Sequence, residues 1–79
     1  MIIRVQVRMA RAALGWSVRD LASRAGLAAN TVSRYENGTD AYGETLTKIQ
    51  RALEDAGVIF IDADKEGPGV RLRGDQAGQ

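Results

Sequence analysis

The side chains richest in hydrogen-bonding chemistry are gathered in residues 17–38, SVRDLASRAGLAANTVSRYENG. In the second half of that run Asn30, Thr31, Ser33 and Arg34 fall on one side of a helical repeat, with Leu27, Val32 and Tyr35 on the other. An amide, two hydroxyls and a guanidinium suit recognition. Catalysis has little to work with, because the 79-residue chain contains neither histidine nor cysteine. The commonest general base and the soft metal ligands are therefore missing, which leaves carboxylates and lysines in no visible catalytic constellation. No enzyme, no metal, no cofactor and no small-molecule ligand is expected.

Charge points the same way. The formal net charge is only +1, but residues 1–38 carry six arginines against Asp20 and Glu36, a net +4, while residues 39–79 carry five cations against eight acids, a net −3. A positive half is expected where a domain faces phosphates. Arginines that merely solvate helices would give the same count, and only the pattern of the 17–38 run favours the first reading.

That pattern predicts two short helices. Ser17 can cap the first by offering its hydroxyl to a free backbone N–H; Leu21, Ala22 and Ala25 follow at helical spacing until Gly26, where a left-handed residue would end the turn. The second runs over residues 28–36 and stops at Asn37-Gly38. A preceding helix over residues 3–14 has Val7, Ala10 and Leu14 as its inner stripe, with Arg4, Arg8 and Arg11 sharing another face. Trp16 reads as a core residue. A fourth helix over 43–56 carries Leu46, Ile49, Leu53 and Ala56 inward.

Taken together, Arg11, Gly15-Trp16-Ser17, Leu21-Ala22, Ala25-Gly26-Leu27, Thr31-Val32-Ser33 and Glu36-Asn37-Gly38 give residues 6–57 a strong resemblance to the phage repressor and Cro type of helix-turn-helix regulator. The resemblance implies a mainly α, four-helix, lambda-repressor-like domain over residues 1–57 whose second motif helix enters the major groove of double-stranded DNA. It places Ala29, Asn30, Ser33 and Arg34 at base-facing positions. Asn30 has the chemistry for adenine, Arg34 for guanine and Ala29 for a thymine methyl, and Arg34 is the best single bet for specificity. Ser17, Arg19, Thr31, Asn37 and Tyr42 become candidate phosphate contacts, the N-terminus of the helix that Ser17 caps helping it to hold an anion. It further implies a structural ion pair between Arg11 and Glu36. Two departures stand out. Val18 replaces a frequent glutamine that reaches phosphate, and the loop 39–42 carries Asp40 where basic residues are common, which predicts weaker affinity with a shallow salt dependence.

Beyond Gly57 the periodicity changes. Val58-Ile59-Phe60-Ile61 is a continuous apolar run, residues 64–69 form a turn, and Val70-Arg71-Leu72-Arg73 alternates. A hairpin follows, and a run apolar on both faces asks for cover on both. The economical cover is a second copy, making residues 58–73 a dimerisation segment through Val58, Ile59, Phe60, Ile61, Val70 and Leu72; the alternative is a hairpin folded over its own core. Residues 74–79 read as a disordered tail. No stretch is apolar enough to span a bilayer, so a cytoplasmic, nucleoid-associated protein is expected. The expected function is a dimeric transcriptional regulator on an inverted-repeat operator, with its own promoter among the expected targets. A protein-interaction module on the same fold, such as an antitoxin or anti-activator, is the alternative.

Overall fold

The computed structural model describes residues 2–62 and 66–74. Four helices, α1 (Arg4–Leu14), α2 (Val18–Ala25), α3 (Ala29–Glu36) and α4 (Gly43–Asp55), precede an antiparallel pair of strands, β1 (Val58–Ile61) and β2 (Gly69–Leu72). The expected turn falls partly, and the expected tail almost wholly, outside the described residues. No helix among the described residues is long and apolar enough to cross a membrane.

Local chemistry sets the helix limits. Gly15 (φ +70°) and Gly26 (φ +71°) adopt the left-handed conformation that only glycine takes without penalty, ending α1 and α2. At the start of α2 the Ser17 hydroxyl accepts the Asp20 N–H at 3.1 Å and the Asp20 carboxylate accepts the Ser17 N–H at 2.8 Å, a reciprocal cap. The Leu27 N–H then reaches back to the Ala22 carbonyl at 2.9 Å, fixing the turn into α3.

The core is one contiguous cluster. Leu21, Ile49, Leu53, Val7 and Val32 are its largest fully buried side chains, one or two from each helix. Each such burial contributes roughly 1.5–3 kcal/mol. Small side chains stand where helices converge: Ala10, Ala22 and Ala52 are all buried. Val58 belongs to the same cluster, so the hairpin shares the helical core and is not a unit apart.

The strand register pairs Val58 with Leu72, Ile59 with Arg71, Phe60 with Val70 and Ile61 with Gly69. Alternation therefore sends Val58, Phe60, Val70 and Leu72 inward, and all four pack on this chain's own core. Cover on both faces, expected from the apolar run, is not what this fold provides. Strand β2 lies against α1 and β1 against α4, leaving Ile59 41% exposed on the other face. Of the six residues expected at a dimer contact, only Ile59 and part of Ile61 remain outside that packing.

Candidate nucleic-acid interface

Helix α3 is sided as its sequence requires. Val32, Tyr35 and Glu36 are buried, while Asn30, Thr31 and Arg34 are exposed and lie within one arc of the helix surface. Arg34 stands near the middle of that arc, and among the described residues its guanidinium has no partner. Ser33 is half-buried, and its hydroxyl accepts a long hydrogen bond from the Asn37 amide at 3.5 Å. Ala29, expected to face a base, leans on the core instead. It is the first residue of the helix, one turn below Val32 and Ser33, and that position turns its methyl group inward.

The C-terminal end of α3 is held from behind. Arg11 meets Glu36 at two points, Nε to Oε2 at 2.7 Å and Nη2 to Oε1 at 2.8 Å, and also donates to the Trp16 carbonyl at 3.0 Å. Glu36 is 5% exposed, so this is a fork-to-fork pair in a largely dry setting. The hydrogen bond to Glu36 holds the Arg11 pKa above its ordinary value, its attraction to that carboxylate adding to the rise and burial opposing it. Arg8 donates to the Glu36 carbonyl and lies 3.4 Å from the Asn37 amide oxygen. Arg4 donates to the carbonyls of Tyr35 (2.8 Å) and Gly38 (3.0 Å) and to Asp40 (3.0 Å), with its guanidinium 5.0 Å from the Tyr35 ring centre. Burial pushes the Tyr35 phenol pKa up, the Arg4 charge opposing it.

These contacts correct the charge reading. Three of the six arginines of the positive half are turned onto α3 and the loop behind it, and a fourth, Arg24, stacks 5.0 Å from the half-buried Trp16 ring. Only Arg19 and Arg34 remain without a side-chain partner among the described residues of that half. The Arg11–Glu36 pair is the one the resemblance implies; local patterning does not reveal the turn of Arg4 and Arg8 onto α3, because their partners lie about 28 to 36 residues away along the chain.

Among the other candidates, Thr31 and Arg19 are exposed, and Tyr42 is 87% exposed, which removes any role as a cover over the core. Thr31, Arg34, Thr39, Asp40 and Tyr42 line one open concavity of about 460 Å³ beside α3. Asn37 is engaged with Ser33 and Arg8 rather than standing clear. Ser17 is exposed, but the Asp20 carboxylate already sits at the α2 N-terminus, opposing any anion there. The Ser17 N–H and hydroxyl hold the Asp20 pKa below its ordinary value. Ala28 and Tyr42, which precede α3 and α4, make no side-chain cap. No cluster of metal-ligating side chains occurs among the described residues. The arrangement is a rigidly backed helix presenting an amide, a hydroxyl and a guanidinium outward.

The buried polar side chain that sequence reasoning missed is Gln6, 2% exposed, whose amide bonds to the hairpin. The available signal was a polar side chain one place from Val7 and four from Ala10, inside the apolar stripe of α1.

Comparison with known proteins gives two findings. A family model described as Helix-turn-helix matches residues 7–54, more than half of the chain. A protein of Archaeoglobus fulgidus, named provisionally as an HTH-type transcriptional regulatory protein, is 39% identical over 57 residues, which is 72% of this chain and 18% of that protein. The chain thus spans less than a fifth of the length of that curated relative.

Proposed function

Because the chain belongs to the helix-turn-helix family matched over its central residues, we propose that it is a sequence-specific DNA-binding transcriptional regulator acting as a homodimer on an inverted-repeat operator. The observation that carries this reading is the contrast on α3, whose inner residues and C-terminal end are anchored while Asn30, Thr31 and Arg34 stand free. An α-helix fits the major groove, where a guanidinium pairs with guanine and an amide with adenine. Arg34 reads a base, Asn30 a second, and Thr31, Tyr42 and Arg19 hold phosphates. Regulation follows from covering a promoter or contacting polymerase, and the chain's own promoter is a natural first target. The name of the archaeal relative supports the regulatory role.

Dimerisation supplies the second half-site, with two recognition helices about 34 Å apart in successive major grooves. The surface that suits it is the free edge of β1. Gly57 accepts the Arg73 N–H at 2.8 Å, so the alternating ladder turns the N–H and C=O of Val58 and Phe60 away from β2. Val58–Ile61 carries no charge that would block pairing with a second copy. A Lys at Ile59 is expected to convert a dimer to a monomer in sedimentation; a wild type that sediments as a monomer at every concentration removes the interface.

The test of the main reading is binding-site selection from random duplexes followed by gel shift at several salt concentrations. Specific retention that Arg34→Ala abolishes supports it. No retention even at low salt removes it in favour of a protein-interaction module, the reading favoured by Asp40 and by how few arginines are free.

A further inference from the structure

Helix α1 grips two parts of the molecule from opposite sides. Arg4, Arg8 and Arg11 reach the end of α3 and its following loop. Gln6 lies two residues from both Arg4 and Arg8, and so about 160° round the helix from each. Its Nε2 donates to the carbonyls of Ile61 at 2.9 Å and Gly69 at 3.0 Å, and its Oε1 accepts the Ile3 N–H at 3.0 Å. Ile61 and Gly69 face each other across the last described rung of the hairpin, so one amide clasps both strands. Both amide hydrogens are used, and the side chain is 2% exposed. A leucine would fill this space without the cost of desolvating an amide. What an apolar residue would not supply is direction, since two hydrogen bonds to two strands fix where the hairpin sits on α1.

We propose that Gln6 is a positioning residue that fixes the hairpin relative to the recognition helix α3, with α1 as the strut between them, and thereby selects the spacing between DNA half-sites. The inference rests on the homodimer reading above. If two copies meet through their hairpins, any looseness between hairpin and α1 becomes looseness between the two recognition helices. Adding one base pair between half-sites moves the second by about 3.4 Å and rotates it by roughly 35°. A rigid dimer rejects that change, and a loose one tolerates it.

The decisive variant is Gln6→Glu, which keeps the acceptor for Ile3 but sets a carboxylate against two carbonyls. Gln6→Asn, which keeps the amide and shortens its reach by one methylene, carries the same test should the first variant fail to fold. Each is titrated, beside wild type, on selected duplexes whose half-sites are moved by one or two base pairs, and on a single half-site. Wild type is expected to prefer one spacing by about tenfold, and Gln6→Glu by about threefold or less, with half-site affinity and helical circular dichroism unchanged. Gln6→Asn is expected to fall between them. A folded variant that keeps wild-type spacing preference overturns the proposal. So does a parallel loss of half-site affinity, which would mark a merely structural role. Wild type binding the full site no tighter than a half-site overturns the homodimer reading itself, and this inference with it, and is seen without any variant.

Discussion

At its C-terminal end α3 is gripped by Arg4, Arg8 and Arg11, whose guanidinium groups reach the carbonyls of Tyr35, Glu36 and Gly38 and the Glu36 carboxylate. Over its outward arc Arg34, Asn30 and Thr31 are exposed, and no side chain among the described residues meets Arg34. One residue type thus does two opposite jobs within one small domain. Where a guanidinium faces buried acceptors it becomes structure; where it faces water it remains available to a ligand. The number of arginines in a half-chain therefore says little about how many can meet phosphate.

Breaking the held end should have the largest effect. Arg11→Ala leaves Glu36 buried with only the distant Arg8 (3.8 Å) for company, and is expected to cost about 3–5 kcal/mol in urea denaturation. A loss below about 1 kcal/mol would show that α3 is held by packing alone. Next in size is the mirror experiment on the free arc. Arg34→Ala is expected to leave stability within about 0.5 kcal/mol of wild type while removing about 1–3 kcal/mol of discrimination at one base pair of a selected site. Equal weakening on all sequences would make Arg34 a phosphate ligand instead.

A third substitution sharpens the boundary between the two regions. Asp40 is fully exposed and pairs with Arg4, so Asp40→Asn should leave the urea midpoint close to that of wild type. It removes an anion beside the concavity and loosens Arg4, and so should tighten DNA binding and steepen its salt dependence by up to about one phosphate contact. Unchanged salt dependence would place Asp40 away from the DNA. The smallest effect concerns the α2 cap. The Asp20 pKa is lowered on folding, so its contribution is fully present above the unfolded value of about 3.9 and is lost as pH falls through the folded one. Protection of the first-turn amides of α2 against exchange, relative to the intrinsic rate at each pH, should fall in that acid window and hold at neutral pH; a folded Asp20 titrating at or above about 3.9 would show the cap to be idle.

Much of the fold was legible because its signals are local. Ser17 before the α2 pattern, and Gly15 and Gly26 after the apolar stripes, set helix ends within a residue, and the change from helical to alternating period beyond Gly57 marked both strands. The outward arc of α3 was legible for the same reason, being a matter of spacing. The fates of Arg4, Arg8 and Ala29 were not legible, nor was Gln6, since each depends on what another segment brings opposite it. The hairpin shows the same limit: a run of four apolar residues told that cover was needed, and only the packing of β1 and β2 on α4 and α1 told how much the chain supplies for itself.

By itself, then, the sequence determined four helices, a glycine-hinged pair among them, and a strand pair, because caps, glycines and apolar periods act over a few residues. Tertiary structure alone decided the fate of the remaining polar groups, Arg4, Arg8 and Gln6 among them. A hydrogen bond needs its partner within about 3 Å, and no spacing along the chain says which distant carbonyl will be there. Spacing alone does not tell Arg4 from Arg19; the fold gave one of them the carbonyls of Tyr35 and Gly38 and left the other facing water.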